Sequence, residues 1–240
     1  MNGDSFSLWV YLSRSPLLWL TVTLVVYACA DAVSLATRRH ALANPVLHSV
    51  WIIGAFLLVT GTSYPTYFAG AQFVHFLLGP ATVALAVPLY ENRKRVVASI
   101  LPMLVALLVG SVTAIVSIVV LAGLFGLPRG VIVSLAPKSV TAGVAMGISE
   151  SLGADPSLTA VSVIITGIMG AIVVTPLMNR AGITDFRARG FAAGLAAHGI
   201  GTARAFQVDE IAGVFSGIAM SLNALVTSIL VPLAVTLLLR

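Results

Sequence analysis

The sequence predicts an all-α polytopic membrane protein, because of its composition, its long apolar segments and its scarce charges. Hydrophobic residues make up 59% of the 240-residue chain and charged residues only 9%, and the mean hydropathy is +1.06. A soluble chain carries about 25% charged residues, whereas a membrane-spanning helix needs about 20 mostly apolar residues. Segments of this length follow one another along the chain, so residues 1–240 are interpreted as a single transmembrane domain in the lipid bilayer.

About seven or eight membrane segments are predicted, and two or three of them contain a break. Broken or re-entrant helices are expected near Gly79-Pro80, Pro137 and Gly199-Gly201, since proline removes a backbone donor and glycine favours unwound backbone. The predicted segments are Leu17–Ala36, Val46–Thr62, Gln72–Tyr90, Val96–Leu124, Val131–Ser149, Leu158–Met178, Gly190–Phe206 and Ile211–Leu239.

The basic residues lie in short loops, as the positive-inside rule expects, and do not form a nucleic-acid-binding patch. Arg38-Arg39-His40 and Arg93-Lys94-Arg95 are separated by two segments and are assigned to the cytoplasmic side. The loop Asn179–Arg189 holds three more arginines. A count of full crossings places this loop outside, but one re-entrant segment between Arg95 and Asn179 would return it to the cytoplasm, and we favour that topology.

Lys138 is the most informative residue, because it carries a charge inside an apolar segment. A charge at bilayer depth costs several kcal/mol, roughly 2.5–3.5 on insertion scales, and is retained when it faces a partner, a cavity or a ligand. Pro137 breaks the helix before it, and Ser139 and Thr141 add hydroxyls. The sequence therefore predicts a site for an anionic carboxylate. The alternatives are that Lys138 extends to the membrane surface or pairs with Glu150.

A second polar cluster follows at residues 198–204, and the two clusters are interpreted as two halves of a substrate-binding site. Its candidate binding residues are His198, Gly199, Gly201, Thr202 and Arg204. The planar guanidinium of Arg204 suits bidentate binding of a carboxylate, although an arginine at the membrane surface is an equal alternative. His198 is a proton-carrier candidate, or else a histidine packed in the bundle.

Other residues leave several possibilities open. Glu150 is a weaker candidate for proton coupling. Asn223 and Ser216 either face the cavity or bond across helices. The spacing of His40, His48 and His75 gives no metal site, and the single Cys29 excludes an internal disulfide. No nucleophile elbow, nucleotide loop or cofactor motif is found, so we expect the protein not to be an enzyme.

Two repeated patterns are visible. Residues 78–83 (LGPATV) resemble residues 135–140 (LAPKSV), which is typical of paired broken segments in a transporter, although six residues can match by chance. Glycines four residues apart occur at Gly143/Gly147, Gly190/Gly194 and Gly213/Gly217. This spacing permits close helix packing, within the chain rather than between chains.

These motifs together resemble the LrgB/CidB family over about residues 17–239. The resemblance rests on residues 136–141 (APKSVT), 157–168, 188–190, 197–204 (AHGIGTAR), 215–217 and 80–91. Ala142 and Gly143 depart from the family pattern, which often has Thr and Pro after Thr141. The resemblance implies a multi-pass protein of the bacterial inner membrane. Members are described as holin/antiholin-like modulators of murein hydrolase activity and autolysis, acting with a small LrgA/CidA-like membrane partner.

The same family resembles the membrane half of the plant plastid glycolate/glycerate transporter. The main functional hypothesis is therefore a proton-coupled secondary transporter of small monocarboxylates such as glycolate, glycerate, lactate or pyruvate. In this hypothesis Lys138 and Arg204 neutralise the carboxylate, and Ser139, Thr141 and Thr202 bond its oxygens. The alternative is a holin/antiholin-like regulator of autolysis that acts in a membrane complex, and a homo-oligomer is left open for either function.

Overall fold

The computed structural model describes residues 15–84 and 86–238, and the regular elements within those ranges are helices, with no strand. The chain divides into two compact units, residues 1–86 and residues 87–240. The helix α5 (Ala86–Glu91) lies at the boundary between them. Each unit is described by itself.

The first unit packs three helices around one tryptophan. They are α1 (Pro16–Ala36), α2 (Pro45–Thr60) and α3 (Tyr64–Phe76), and α4 (Leu78–Ala84) follows them. Trp19 of α1 is fully buried and makes edge contacts with Phe56 of α2 and Tyr67 of α3, with ring centroids 6.1 and 5.9 Å away. Its large apolar area makes it the core of this unit.

The break expected near Gly79-Pro80 lies slightly earlier in the chain. Helix α3 ends at Phe76 and α4 begins at Leu78, so Gly79 and Pro80 occupy the first turn of α4. Proline is tolerated there because the first N–H groups of a helix have no partner inside it. The two segments with similar sequences have different local structures, since residues 78–84 are helical whereas residues 136–141 are not.

The second unit contains the longest helices. After α6 (Arg93–Ala98) come α7 (Ile100–Leu124), α8 (Arg129–Leu135), α9 (Ala142–Ser151), α10 (Pro156–Arg180), α11 (Phe186–Val208) and α12 (Glu210–Leu238). Helices α1, α7, α10 and α12 and the stretch Tyr64–Glu91 are long and apolar enough to cross a membrane, and α2 is a shorter apolar helix. The predicted all-α membrane fold is confirmed.

Helices α8 and α9 flank a non-helical break at residues 136–141, and the three parts together form the first broken segment, called hairpin A (residues 129–151). The Thr159 hydroxyl at the start of α10 lies 2.9 Å from the Ser134 carbonyl of α8 and 2.7 Å from the Ser149 hydroxyl of α9. Ile132 and Ile148 share one buried apolar cluster. Both arms are therefore bonded to the first turn of α10, and the non-helical residues 136–141 around Pro137 form the tip, as predicted.

Helix α11 doubles back at its centre and forms hairpin B, with a first arm of residues 186–196 and a second arm of residues 199–208. Ala197 (φ −129°, ψ 15°) and His198 (φ 42°, ψ −133°) leave the helical conformation. A Cβ built on Gly201 would lie only 2.5 Å from the Ala193 carbonyl oxygen, whereas eight residues of straight helix span about 12 Å. Ala193 and Ala205 likewise share a cluster.

The expected break at Gly199-Gly201 is thus displaced to Ala197-His198. Gly199 and Gly201 are helical residues of the second arm. Gly201 has no side chain because the first arm passes directly against it. A glycine at position 201 therefore serves close packing of the two arms. The strained backbone lies at His198 instead.

The two hairpins enter the second unit from opposite ends. Hairpin A opens where α10 begins, because its second arm ends at Ser151 and α10 starts at Pro156. Hairpin B follows the other end of α10, and Arg187 in the first turn of its first arm donates to Ser99, just before α7, over 3.3 Å. The loop 179–189 therefore shares an end, here called the basic end, with the start of α7. This agrees with the re-entrant topology that we favoured.

Glycines allow hairpin B to lie against α12. Cβ atoms on Gly190 and Gly194 would overlap the backbone carbonyls of Ala212 and Ser216. Gly213 in turn accommodates the ring of Phe206. These pairs confirm close packing within the chain, whereas Gly143 and Gly147 have open space around them.

Candidate functional site

The tips of the two hairpins meet in the interior of the second unit. Val140 in the tip of hairpin A packs against Val163 of α10. The carbonyl of the same Val163 lies 3.0 Å from Nε2 of His198, at the tip of hairpin B. The structure therefore brings the two predicted polar clusters together at their breaks. We call residues 137–141 and 195–202 the tip site.

Asn223 of α12 bonds to both breaks at once. Its Nδ2 donates to the Ser139 carbonyl over 3.2 Å and to the Leu195 carbonyl over 3.0 Å. Its Oδ1 accepts from Ser111 over 2.8 Å and from Thr227 over 3.1 Å. An amide offers two donors and two acceptor positions, so all four are filled. The sequence left open whether Asn223 faces the cavity or bonds across helices, and in the structure it bonds across helices.

His198 occupies a strained backbone conformation in a buried position. Its φ of 42° is unusual for a residue with a side chain, costs of order 1–3 kcal/mol and is concentrated at functional sites. Only 5% of the residue is exposed. Because a carbonyl can only accept, Nε2 donates to Val163 and carries the proton. The bond fixes the imidazole against α10.

The hydroxyl of Thr202 is held within the protein. Its Oγ1 donates to the His198 carbonyl over 2.8 Å and lies 2.9 Å from the Ser216 hydroxyl of α12. Since a hydroxyl has one hydrogen, Ser216 is then the donor in the second bond. Ser216 thus bonds across helices, and a ligand oxygen would compete with these contacts for Thr202.

Lys138 lies half-buried in the tip of hairpin A. Among the described residues no carboxylate oxygen lies within 4 Å of its amine. Glu150, the expected alternative partner and coupling candidate, is exposed in the last turn of α9, at the open end of the hairpin. The tip therefore holds a cation next to buried Ser139 and next to Thr141, the extended residue that precedes α9.

Arg204 lies apart from the tip. It is six residues beyond His198 on the second arm, which corresponds to about 9 Å along a helix. It lines a small cavity of about 20 Å³ together with Arg189, Phe186 and Thr175. Arg189 there donates to the Thr175 carbonyl over 3.3 Å and to Asn179 Oδ1 over 2.6 Å. Arg204 itself is 8% exposed, and its predicted contact with the same carboxylate as Lys138 stays a prediction.

A larger cavity of about 420 Å³ opens between α7 and the first arm of hairpin B, at the basic end. Asp185 and Arg187 lie at its polar side, and hydrogen bonds from Arg187 hold the pKa of Asp185 below its usual value. The cavity extends to Leu195, whose side chain covers Gly110 of α7. It therefore leads from the basic end toward the tip site.

Sequence reasoning missed two contributors to the site, the Val163 carbonyl and Gly167. Gly167 lies beside the His198 ring, and both residues belong to α10, to which the sequence analysis assigned no site residue. A backbone acceptor carries no sequence signal. The glycine could have been suspected from its place in an apolar helix, where glycine permits close approach.

Comparison with known proteins gives one consistent family. The sequence profile described as the LrgB-like family matches residues 23–237. "Holin-like protein CidB" of Staphylococcus epidermidis is 33% identical over 220 residues, covering 92% of this chain and 96% of the relative. The protein of the same name in Staphylococcus aureus (strain Mu50) is 32% identical over 221 residues, with the same coverage.

A third relative, "Uncharacterized protein YxaC" of Bacillus subtilis, is 37% identical over 193 residues, which cover 80% of this chain and 84% of that protein. No solved structure matches the chain. Together with the apolar helices, these relatives identify a multi-pass bacterial membrane protein.

Proposed function

We propose that this chain, which belongs to the LrgB-like family, is a secondary transporter of small monocarboxylates and not an enzyme. The proposed substrates are 2-hydroxy and 2-oxo acids such as glycolate, glycerate, lactate and pyruvate. The tip site is the proposed substrate-binding site.

One observation carries the proposal: two broken segments bring their tips to the same residues, Val163 of α10 and Asn223 of α12, and one of these tips contains Lys138. Broken helices at membrane depth are tolerated only where they are buried in protein or line a cavity. In secondary transporters such breaks supply the backbone groups that bind substrates and coupling ions near the bilayer midplane. A cation at this place suits an anionic substrate.

The residues of the tip take separate roles in this proposal. The Lys138 ammonium neutralises the carboxylate, and Ser139 and Thr141 donate hydroxyl hydrogen bonds to its oxygens. The N-terminus of α9, which follows Thr141 directly, adds the favourable end of a helix dipole. Gly199, Gly201 and Thr202 form the opposite wall through the start of the second arm.

Proton coupling is assigned to His198. Imidazole changes its charge near neutral pH, and the ring lies at the tip of hairpin B, held by Val163 on α10. A proton gained at Nδ1 charges the ring and strengthens its Nε2–H bond to α10, and this change is proposed to act on the tip. Glu150 lies at the open end of hairpin A and is the second residue to test for coupling.

The second candidate function is that of a holin-like regulator in a membrane complex. The name of the staphylococcal relatives, "Holin-like protein CidB", favours it. A small LrgA/CidA-like membrane protein is the proposed partner for this function. Such a protein needs oligomerisation in the membrane but has no need of a cation between two helix breaks.

Substrate uptake and substrate protection separate the two functions. The purified protein is reconstituted into proteoliposomes, and uptake of labelled glycolate, lactate and pyruvate is measured with and without an inward proton gradient. A transporter is also stabilised by its substrate, by roughly 2.7 kcal/mol at a hundredfold excess over Kd. Saturable, gradient-dependent uptake with a raised melting temperature supports transport. Leak of unrelated solutes, with no effect of any acid on melting, supports the holin-like function instead.

A further inference from the structure

We propose that Asn223 is the positioning residue that joins the two hairpin tips, so that hairpins A and B move as one body in the transport cycle. This inference rests on the proposed function for its consequence in transport. The mechanical coupling itself is independent of what the protein transports.

The bonds of Asn223 bridge two breaks that lie far apart in sequence. Ser139 is in the tip of hairpin A and Leu195 directly precedes the break in hairpin B, yet both carbonyls accept from the same Nδ2 group. In an unbroken helix the Leu195 carbonyl would accept from the N–H of residue 199. The break frees this carbonyl, and Asn223 satisfies it.

Two hydroxyls fix the orientation of the amide. Ser111 of α7 and Thr227 of α12 donate to Oδ1, and a hydroxyl donor distinguishes the oxygen end of an amide from its nitrogen end. The nitrogen end is thereby directed at the two carbonyls. Asn223 is 1% exposed, so water does not offer either carbonyl a ready substitute.

Among the described residues, the other contacts of the two tips do not join hairpin A to hairpin B by hydrogen bonds. The bond from His198 joins hairpin B to α10 through Val163, and Val140 of hairpin A meets α10 through apolar packing. Within the described part of the chain, the Asn223 side chain is the group whose hydrogen bonds reach both hairpins. Loss of its amide is therefore expected to loosen both tips together, although they belong to separate segments.

Hydrogen exchange of the purified full-length protein in lipid nanodiscs tests the coupling. Asn223→Leu keeps a similar volume and removes both donors, whereas Ser221→Ala on the same helix removes a hydroxyl bonded only within α12, to Gly217 over 3.0 Å. Amide exchange of peptides covering residues 136–145 and 195–203 is expected to rise about tenfold in both regions in Asn223→Leu. Ser221→Ala is expected to resemble the wild type.

A second variant covers the case in which Asn223→Leu does not fold. Asn223→Asp keeps the shape and the acceptor for Ser111 and Thr227, but its carboxylate has no N–H, so both donor bonds to the Ser139 and Leu195 carbonyls are lost. Faster exchange at both tips in either folded variant supports the coupling. Faster exchange at one tip, or at neither, overturns it, and failure of both variants to fold while Ser221→Ala folds assigns Asn223 to folding and overturns it as well.

Uptake measurements on the same samples separate this inference from the proposed function. If the tips form one substrate site, Asn223→Asp raises KM about tenfold while Vmax falls less, because a displaced tip weakens binding first. A wild-type protein without saturable uptake contradicts the proposed function, and the exchange result then still decides the coupling. A wild-type protein that transports, with unchanged KM in Asn223→Asp, contradicts the positioning role alone.

Discussion

Gly167 of α10 lies directly against the imidazole of His198. A Cβ built on Gly167 would lie 2.6 Å from Cε1 and 2.8 Å from Nε2 of the ring. The absence of a side chain at this position therefore lets the imidazole reach the Val163 carbonyl one turn earlier on the same helix. The strained tip of hairpin B depends on a residue in another segment of the chain.

Gly167→Ala is expected to displace the imidazole and abolish uptake. Overpacking of a filled interior costs about 1–3 kcal/mol, so the melting temperature should fall as well. Gly123→Ala in α7 is the matched control, because nothing lies within 4 Å of its Cβ. Normal uptake by Gly167→Ala would show that the ring position at the tip does not matter for function.

Lys138→Met is expected to remove transport almost completely and leave the fold intact. Methionine keeps the length of the stem without the charge, and an apolar residue in a membrane segment costs little. The chain has one other lysine, Lys94, at the basic end, and Lys94→Met serves as the control. Uptake in proteoliposomes and thermal melting are measured for both, and normal uptake by folded Lys138→Met would refute the assigned role.

The pH profile of uptake should depend on His198. With an imidazole in the cycle, uptake is expected to change between about pH 5 and 8, where histidine titrates. His198→Gln keeps a donor for the Val163 carbonyl but gains no charge, so the profile should flatten while substrate still raises the melting temperature. His75→Gln, at an exposed position of α3, should keep the wild-type profile. If His198→Gln also keeps the wild-type pH profile, His198 is not the coupling residue, and Glu150 is the next residue to test.

Arg204→Lys is expected to affect stability more than affinity. Arg204 lines the cavity near Arg189 and Phe186, and lysine cannot reproduce the planar fork of a buried arginine. The melting temperature should fall, while the apparent affinity stays within about threefold of wild type. A loss of tenfold or more in affinity, equal to about 1.4 kcal/mol, would instead place Arg204 on the carboxylate. The exposed Arg129→Lys provides the control.

Much of the architecture was predictable from the sequence by itself. The predicted span Leu17–Ala36 is α1 (Pro16–Ala36), and Leu158–Met178 lies within α10 (Pro156–Arg180). These agree because an uninterrupted apolar run has one low-energy form in a bilayer, a helix with all backbone bonds inside the segment. The two polar clusters were also visible as charges and breaks within apolar runs.

The fold of the broken segments was decided by tertiary contacts. Proline at 137 marked one break correctly, but glycines at 199 and 201 suggested the wrong residues for the other. A glycine permits several conformations and also permits close packing. The sequence does not distinguish these two uses, whereas the first arm of hairpin B, packed against Gly201, does.

For the candidate site as well, some features were predictable from the sequence and others were not. The sequence by itself determined the fold class, the family and the presence of Lys138 and His198 inside the membrane region, because hydropathy and charge are local properties of the chain. Only the tertiary structure decided that their two tips meet, that Asn223 bonds both and that Arg204 lines a small cavity with Arg189. These relations join residues 28 to 84 positions apart. The bonds form because backbone carbonyls freed at the breaks accept from side chains on other helices. Every residue has the same backbone carbonyl, so the sequence does not show which carbonyl will accept such a bond.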